Sequence, residues 1–432
     1  MPRTVRQLLA DRVLLAICGI ALAARLAFVA TLENRYYWPI DESAYDHLAR
    51  SLAAGNGFVD EQGQATAYRP IGYPVFLALV YLAFGRSLVA VRIVQSVLTT
   101  ALVGVVYLLA LRLFDRRVAR LAAGICALYP YYVYVAGVLY SEALCVFVLA
   151  YAVYRFIIAC DEPKALRFLG VGVLLGAVLL IRPNLLAAVP FFVAWYLWVP
   201  GVRRRVPAWM AALFLLVAIA TVAPWAARNY VRLGAVTLTT NGGRNFWLGN
   251  NPAATANTGN EVALPPDLAQ RLEQAASEVE RDRIYYATGL AFIREQPVRF
   301  LRLAASKAVA FWRFYPVPSS GFKQNERLSK LASIVTFGPL LVLAIVGLIA
   351  SWKKSSRENL AFLCLFIGFD VAHALYIAIV RLRLPLDVFL MPFAGFAVVW
   401  LAERWRGAGG KRGRAEKVES VEERWHANGH PK

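Results

Sequence analysis

The chain alternates long apolar runs with short polar segments, and this pattern predicts a bundle of membrane-spanning helices. A helix needs about 20 apolar residues to cross a bilayer, and runs of this kind recur up to residue 403. Ten spans can be placed, at 13–31, 88–111, 119–138, 142–160, 166–182, 185–200, 207–227, 330–351, 359–379 and 385–403. The predicted fold class is therefore an all-α integral membrane bundle over residues 1–403.

Two segments between the spans are predicted to lie in the outer interface. Ile71–Phe84 is apolar but short, and Pro70, Pro74 and Gly85 bracket it, so we expect an interfacial helix. Ser43–Ala54 carries apolar residues at helical spacing and predicts a second in-plane helix. Both fall in a first outer loop of about 32–87.

A large outer loop is predicted at about 228–329, and a polar tail follows the last span. In the large loop, Pro297–Tyr315 mixes basic and aromatic residues and predicts a helix at the lipid surface. Residues 404–432 are basic and polar, which predicts a disordered cytoplasmic tail.

Composition and charge support this topology and exclude other classes. The chain is 59% hydrophobic and 17% charged, which excludes a soluble globule. Its 47 Lys+Arg against 27 Asp+Glu give a net charge of +20. The cations cluster in short segments on one side of the predicted bundle, so we expect that side and both termini to be cytoplasmic. Nucleic acid is therefore not an expected partner. The first apolar run is long enough to span and lacks a clear small-x-small site, which favours a retained helix over a signal peptide.

With this topology, acids and arginines gather on the outer face. They are Asp41, Glu42, Arg69, Glu142, Arg182, Arg228, Arg381 and Arg383. Carboxylates mixed with arginines at membrane depth could bind a phosphate and activate a nucleophile. A divalent metal could bridge a phosphate and these acids, but no dedicated ligand cluster accompanies them. No cofactor is therefore assigned, and a metal stays open.

Each of these residues also has a simpler interpretation. Arg182, Arg228 and Arg381 could extend towards lipid phosphates, as arginines at helix ends often do. Glu142 could be the structural partner of an arginine. Asp41 and Glu42 could favour the start of the following helix without any catalytic role. Because all of them fall on one side, a shared site is the preferred hypothesis.

The order of several short motifs resembles the GT-C superfamily of integral membrane glycosyltransferases, in the branch of bacterial protein O-mannosyltransferases and lipid A aminoarabinose transferases. The motifs are Asp41-Glu42, Tyr68-Arg69-Pro70-Ile71-Gly72-Tyr73-Pro74, Tyr129-Pro130, Ser141-Glu142, Arg182-Pro183, Pro224-Trp225 with Arg228-Asn229, Trp247-Leu248-Gly249-Asn250-Asn251-Pro252 and Arg381-Leu382-Arg383-Leu384-Pro385. Two features depart from the family: its tandem prolines are here Pro70-Ile71, and no folded soluble domain is expected after the membrane region.

The resemblance implies an enzyme that moves a hexose or pentose from a polyprenyl-phosphate carrier, such as undecaprenyl phosphate, to an extracytoplasmic glycan, lipid or protein. Asp41, with Glu42 beside it, would act as base or acceptor orienter in a single inverting displacement. Arg69 and Arg228 would bind the carrier phosphate, joined by Arg381 and Arg383. Tyr68, Glu142, Arg182 and Asn250 are candidate supporting residues. The expected location is the bacterial cytoplasmic (inner) membrane, with the site facing outwards.

Two other classes stay open at this point. A transporter or flippase of lipid-linked sugars would also need acids and arginines, but it would place charges at mid-membrane and in repeated halves. A non-catalytic membrane scaffold would have no reason to concentrate such residues on one face.

Overall fold

The protein is almost entirely helical. The computed structural model describes residues 8, 10–32, 35–36, 39–256, 262–314 and 326–427, with backbone alone at 39–40, 326, 328–329 and 407–427. Within these ranges the only β-type pairing is one isolated bridge between Val59 and Ala65. The predicted all-α fold class is confirmed.

The helices follow one another with short connections in most of the chain. In chain order they are α1 Arg12–Ala30, α2 Pro39–Ala53, α3 Gly72–Phe84, α4 Leu88–Leu113, α5 Arg116–Leu128, α6 Pro130–Gly137, α7 Glu142–Asp161, α8 Ala165–Ile181, a 3-10 helix Pro183–Ala188, α9 Val189–Trp198, α10 Val202–Arg205, α11 Ala208–Leu233, α12 Gly242–Gly249, α13 Pro266–Glu273, α14 Glu278–Glu295, α15 Pro297–Phe311, α16 Glu326–Leu375 and α17 Val380–Ala427.

The chain is a multi-pass membrane protein. Among the described residues, six helices are long and apolar enough to cross a bilayer, or seven if α5 and α6, bent by 48°, form one broken span. Helix α16 contains non-helical Ser355 (φ −139°), so its 50 residues cover two of the predicted spans. Helix α8 and the segment Pro183–Trp198 are apolar but shorter. The predicted total of ten spans therefore stays a prediction.

Asp11 ties together three helices at one end of the bundle. Its carboxylate caps α1 by accepting from the backbone N–H of Val13 at 3.1 Å and of Leu14 at 3.2 Å. It also accepts from the Tyr107 hydroxyl of α4 at 2.8 Å and pairs with Arg120 of α5 at 3.0 Å. These contacts fix how α1, which leads towards the first loop, meets its neighbours.

Helices α8 and α11 pack closely through two small residues. A Cβ at Gly172 would lie 2.7 Å from the Phe214 carbonyl oxygen, and one at Gly176 would lie 2.4 Å from Cβ of Thr221. The spacing of four places both glycines on one face, the arrangement that lets membrane helices approach each other. The contact positions the helix that ends next to Arg182.

The first loop (residues 32–87) contains two helices near their predicted positions. Helix α3 occupies Gly72–Phe84 within the predicted 71–84. Helix α2 begins at Pro39, four residues before the predicted start, so Asp41 and Glu42 lie in its first turn. Proline suits a first helical position and acids suit the first turn, which explains the earlier start.

The end of the chain differs from the sequence prediction. The backbone of α17 continues through the predicted disordered tail to Ala427. Ala, Glu, Lys and Arg are frequent there, and these residues have high helix propensity despite their polarity.

Candidate active site

Asp41 lies between two arginines that come from opposite ends of the chain. Its Oδ1 atom accepts a hydrogen bond from Nη2 of Arg69 at 2.6 Å. Its Oδ2 atom accepts from Nη1 of Arg381 at 3.3 Å. Both carboxylate oxygens therefore contact a guanidinium group, and the three side chains are only partly exposed.

Glu142 extends this cluster into the protein interior. Its side chain is fully buried, and its Oε1 atom accepts a hydrogen bond from Nε of Arg381. The same oxygen lies 3.3 Å from Nη1 of Arg182. Arg381 thus joins the two acids, and Arg182 completes a cluster of three arginines and two carboxylates with a formal charge of +1.

Helix ends bring these residues together. Asp41 is in the first turn of α2, Glu142 begins α7, and Arg182 directly follows α8. Arg381 is in the first turn of α17, and Arg69 precedes α3 by three positions. The predicted convergence of Asp41, Arg69, Glu142, Arg182 and Arg381 is thus present in the structure.

Tyrosine rings hold the guanidinium groups of the cluster. The Arg69 guanidinium carbon lies 5.2 Å from the ring centre of Tyr45 and 5.7 Å from that of Tyr68. The Arg381 guanidinium lies 3.9 Å from the ring centre of Tyr140. Such contacts stabilise a cation while leaving its in-plane N–H groups available for hydrogen bonds.

Three buried polar atoms of the cluster make no hydrogen bond within the described residues. They are Nε of Arg69, Nη1 of Arg182 and Oε2 of Glu142. Nη1 of Arg182 is within ion-pair distance of Glu142, but not in hydrogen-bond geometry. Because unsatisfied buried donors are costly, the two arginine nitrogens suit an anionic ligand.

The arginines keep Asp41 ionised. Burial alone would raise the pKa of the Asp41 carboxyl, but the charges of Arg69 and Arg381 and their hydrogen bonds outweigh burial. The net effect is a pKa below the usual value of an aspartate.

Glu42 faces a different neighbour from Asp41. Its side chain is fully buried, and its Oε1 atom accepts from the backbone N–H of Leu139 at 2.7 Å. This bond attaches the start of α2 to the segment before α7. Glu42 was predicted to act beside Asp41, and this role stays a prediction.

Arg228 contacts the first loop through backbone atoms. Its Nη1 donates to the carbonyl oxygen of Thr66 at 2.8 Å, and its Nη2 donates to that of Phe58 at 2.7 Å. Its guanidinium also lies 4.9 Å from the Trp225 ring centre. Arg228 therefore holds the loop that carries Arg69, and its described contacts do not include Asp41.

Arg383 and Asn250 likewise have structural partners. Arg383 is fully buried, pairs with Asp387 at 3.0 Å and donates to the carbonyl oxygens of Phe311 and Arg313. The Asn250 amide donates to the carbonyl oxygens of Phe246 and Leu375, both at 2.8 Å.

Glu278 is a contact of the first loop that the sequence did not reveal. Its Oε2 atom accepts from the Thr66 hydroxyl at 2.7 Å, and its Oε1 atom accepts from the Ala67 N–H at 2.6 Å. Ala67 is two positions before Arg69, so Glu278 fixes the approach to this arginine from the large loop (residues 228–329). It lies in a charged, helix-prone segment without a motif, and nothing in the sequence distinguished it from its neighbours.

The chain is similar to known proteins both in part of its sequence and in its fold. Residues 68–227 match the family described as dolichyl-phosphate-mannose-protein mannosyltransferase. The structure superposes on the Archaeoglobus fulgidus oligosaccharyltransferase in its apo form with a TM-score of 0.56 and 14% identity, over 92% of this chain and 51% of that chain. The resemblance to GT-C membrane glycosyltransferases is confirmed.

Two further solved structures are similar to this chain. The archaeal oligosaccharyltransferase AglB from Archaeoglobus fulgidus, in complex with an inhibitory peptide and a dolichol-phosphate, gives a TM-score of 0.54 at 14% identity, covering 92% of this chain and 51% of that chain. ArnT from Cupriavidus metallidurans bound to undecaprenyl phosphate gives 0.46 at 15% identity, covering 84% and 77%. No curated protein sequence matches the chain. The chain spans about half the length of the oligosaccharyltransferases.

The family match contains only part of the cluster. Arg69, Glu142 and Arg182 lie within residues 68–227, whereas Asp41 and Arg381 lie outside. Among the described residues, no three His, Cys, Asp or Glu side chains group closely enough to hold a metal ion. The cluster is therefore described by its arginines and acids alone.

Proposed function

We propose that this chain is a membrane glycosyltransferase that moves a sugar from a polyprenyl-phosphate donor to an extracytoplasmic acceptor. The observation that carries the proposal is the position of Asp41 between Arg69 and Arg381. The match of residues 68–227 to a glycosyltransferase family supports it. The dolichol-phosphate bound by AglB and the undecaprenyl phosphate bound by ArnT indicate the class of carrier.

The arginines would act on the leaving group. As the bond between the anomeric carbon and the carrier phosphate breaks, the phosphate takes the electron pair and gains negative charge. Guanidinium groups already held in place by Tyr45, Tyr68 and Tyr140 stabilise that charge without reorganising. The formal charge of +1 of the cluster favours the anionic donor before reaction.

Asp41 would accept the proton of the attacking hydroxyl. In the donor-free protein its two ion pairs lower its pKa and weaken it as a base. A donor phosphate would share Arg69 and Arg381 with Asp41, and the pKa of the carboxyl would rise towards that of a useful base. Donor binding would thus prepare the base, and attack from the opposite side would invert the anomeric centre.

The proposed location is the bacterial cytoplasmic membrane, with the termini inside and the cluster facing outwards. The basic clusters lie between apolar helices on one side of the predicted topology, in agreement with the positive-inside rule. The sugar would be a hexose or a pentose, and the acceptor a glycan, lipid or protein of the cell envelope.

A direct test uses the purified protein in nanodiscs with undecaprenyl-phosphate sugars radiolabelled in the sugar and an envelope fraction as acceptor. We expect release of free undecaprenyl phosphate and transfer of label, both slowed by about 10²–10⁴-fold in Asp41→Asn. Binding of the donor, measured separately, should persist in that variant. Full turnover in Asp41→Asn would refute the assignment.

Flipping of lipid-linked sugars is the alternative function, and the mid-span residue Arg25 gives it little support. Arg25, in the middle of α1, is fully buried and donates to Thr99 Oγ1 at 3.0 Å and to the carbonyl oxygens of Ala21 and Ala127. Such a residue stabilises helix packing instead of lining a path. Movement of intact donor across vesicles without release of the carrier would favour the flippase.

A further inference from the structure

Lys307 is a buried cation that takes no part in the proposed reaction. Its residue surface is only 1% exposed. Within the described residues, Nζ donates to uncharged oxygens: the carbonyl oxygens of Gly249 at 3.1 Å and Tyr376 at 2.8 Å, and Oδ1 of Asn250 at 3.4 Å. Burial lowers the pKa of Lys307 to about 8, so the ammonium is still charged at neutral pH. A buried charge is costly, and an apolar side chain would fill the same space, which points to a role beyond packing.

The Tyr376 carbonyl group lies in the connection that leads to Arg381. Tyr376 directly follows α16, and residues 376–379 connect α16 to α17. Arg381 is the second residue of α17, and its Nη1 atom donates to Asp41 at 3.3 Å. The bond from Lys307 therefore holds the backbone five positions before the arginine that contacts Asp41.

Helix α12 closes on the same carbonyl group. A Cβ at Gly249 would overlap the Tyr376 carbonyl oxygen, so only a glycine lets the end of α12 come this close. The Asn250 amide donates to the carbonyl oxygen of Leu375 at 2.8 Å. The Phe246 ring lies edge-on to the Tyr376 ring, with 5.3 Å between the ring centres. The ammonium therefore lies at the centre of a contact between the large loop and the connection.

Helix α15 also holds the chain on the other side of Arg381. Nη1 of Arg383 donates to the carbonyl oxygen of Phe311 at 2.9 Å and to that of Arg313 at 2.8 Å. Phe311 is the last residue of α15 and lies one helical turn after Lys307. The first N–H groups of a helix have no partner within it, so such outside contacts are needed to fix the first turn of α17.

We propose that Lys307 is a positioning residue for Arg381: its ammonium holds the Tyr376 carbonyl group, and the connection then places the Arg381 guanidinium against Asp41. Without the ammonium, the connection loses its bond to α15 and Arg381 moves away from Asp41. The effect on sugar transfer rests on the proposed transferase function, whereas the placement of the connection does not.

Hydrogen exchange of the purified full-length protein in detergent tests the placement. In Lys307→Met the backbone amides of residues 376–384 should exchange about tenfold faster than in the wild type, the effect of one lost charge-assisted hydrogen bond. Lys307→Gln keeps a shorter, neutral donor and should lie between the two. Arg302→Met, which removes an exposed cation from the same helix, is the matched control and should exchange like the wild type.

The pH dependence of sugar transfer separates positioning from stability. Arg69 and Arg381 both lower the pKa of Asp41, and Glu142 accepts from Nε of the same Arg381. If Arg381 moves away in Lys307→Met, the pKa of Asp41 rises. The acidic limb of the kcat/KM profile should then shift to higher pH, and kcat/KM should fall by about tenfold. A loss of folded protein alone would lower activity by one factor at every pH and leave the limb in place.

Unchanged exchange over residues 376–384, or an unmoved acidic limb in Lys307→Met, would overturn the positioning role. Failure of both Lys307 variants to fold would assign the residue to global stability and would overturn the role as well. A wild type without transferase activity would refute the proposed function, and the exchange measurement would then decide the placement of the connection by itself.

Discussion

Arg381 lies 340 positions after Asp41 in the chain, yet its Nη1 atom is 3.3 Å from Oδ2 of Asp41. The contact joins the first loop to the start of the last apolar helix. It therefore forms only when the bundle between them is complete. A site assembled in this way depends on helix packing throughout the membrane region. A substitution in the site can therefore affect the reaction chemistry, the assembly of the bundle, or both.

Replacement of Asp41 tests its role as the proton acceptor. In Asp41→Asn the amide keeps the size of the side chain but loses the proton acceptor and the charge. We expect kcat for sugar transfer to fall by about 10²–10⁴-fold, the usual contribution of a general base. Glu61→Gln, an exposed acid in the same loop, should keep wild-type kcat. The acidic limb of the kcat/KM profile, which reports the donor-free protein, should lie below the usual pKa of an aspartate.

Replacement of Arg381 by lysine tests the link between the two acids. Arg381 uses Nη1 for Asp41 and Nε for Glu142, whereas the single ammonium of a lysine cannot reproduce both contacts. We expect kcat/KM to fall by about 10–100-fold, the equivalent of one lost charge-assisted hydrogen bond.

The same variant should also lower the melting temperature. Breaking a buried pair costs about 3–5 kcal/mol when one charge is left alone. Because Arg182 remains 3.3 Å from Glu142, we expect a smaller loss of stability here. In the double variant Arg381→Lys with Glu142→Gln, position 142 no longer carries a buried charge that lacks its Arg381 partner. The double variant should therefore have a higher melting temperature than Arg381→Lys alone. Unchanged kcat/KM and unchanged melting temperature in Arg381→Lys would contradict the bridging role.

The sequence predicted the centre of this site because its residues stand out locally. Asp41 follows an apolar run, and Arg69 precedes a proline and a short apolar helix. Acids and arginines rarely occur next to membrane spans without a partner. The order of the motifs then indicated that Asp41, Arg69, Glu142 and Arg381 belong together, and the ion pairs agree with this grouping.

The sequence could not separate clustered arginines from structural ones. Arg228 and Arg381 both lie near helix ends, but Arg228 donates to carbonyl oxygens of the first loop. Every residue has a backbone carbonyl, so the sequence cannot show which carbonyl oxygens accept from an arginine. Only the folded structure distinguishes Arg228 from Arg381 in this respect. The same reason hid Glu278, whose partners Thr66 and Ala67 are more than 200 positions away.

Glu278 should act as a positioning residue for Arg69. Its carboxylate holds Thr66 and Ala67, so Glu278→Ala should let the approach to Arg69 move. We expect KM for the lipid-linked donor to rise by about tenfold, with a smaller change in kcat, because the arginine must be ordered on binding. Glu278→Gln keeps one acceptor for the Ala67 N–H and should recover part of the loss.

Glu273→Ala, at an exposed position of the neighbouring helix, is the control for Glu278 and should keep the wild-type KM. A fall in kcat with an unchanged KM in Glu278→Ala would argue against positioning of the donor site. Loss of expression in both Glu278 variants would point to a purely structural role in the large loop.

Lys307 makes the free energy of unfolding depend on pH in the alkaline range. Its side chain is almost fully buried, and Nζ donates to the carbonyl oxygens of Gly249 at 3.1 Å and Tyr376 at 2.8 Å. Burial lowers the pKa of Lys307 from 10.5 to about 8. Between these two values the unfolded chain binds a proton that the folded chain does not. The contribution of Lys307 to the free energy of unfolding therefore rises with pH in this window, by about 3 kcal/mol in total. Below pH 8 both states are protonated and the contribution is constant.

Melting temperatures of the detergent-solubilised protein between pH 7 and 10.5 check this prediction, read as the difference between wild type and variant because other groups also titrate. In Lys307→Met the rise from Lys307 is absent, so the wild type should gain stability relative to the variant as the pH increases from about 8. Lys353→Met, which changes an exposed lysine, should follow the wild-type curve. Parallel curves for the wild type and Lys307→Met would show that the buried ammonium is not linked to folding, and the contacts of Lys307 with Gly249 and Tyr376 would then act independently of pH.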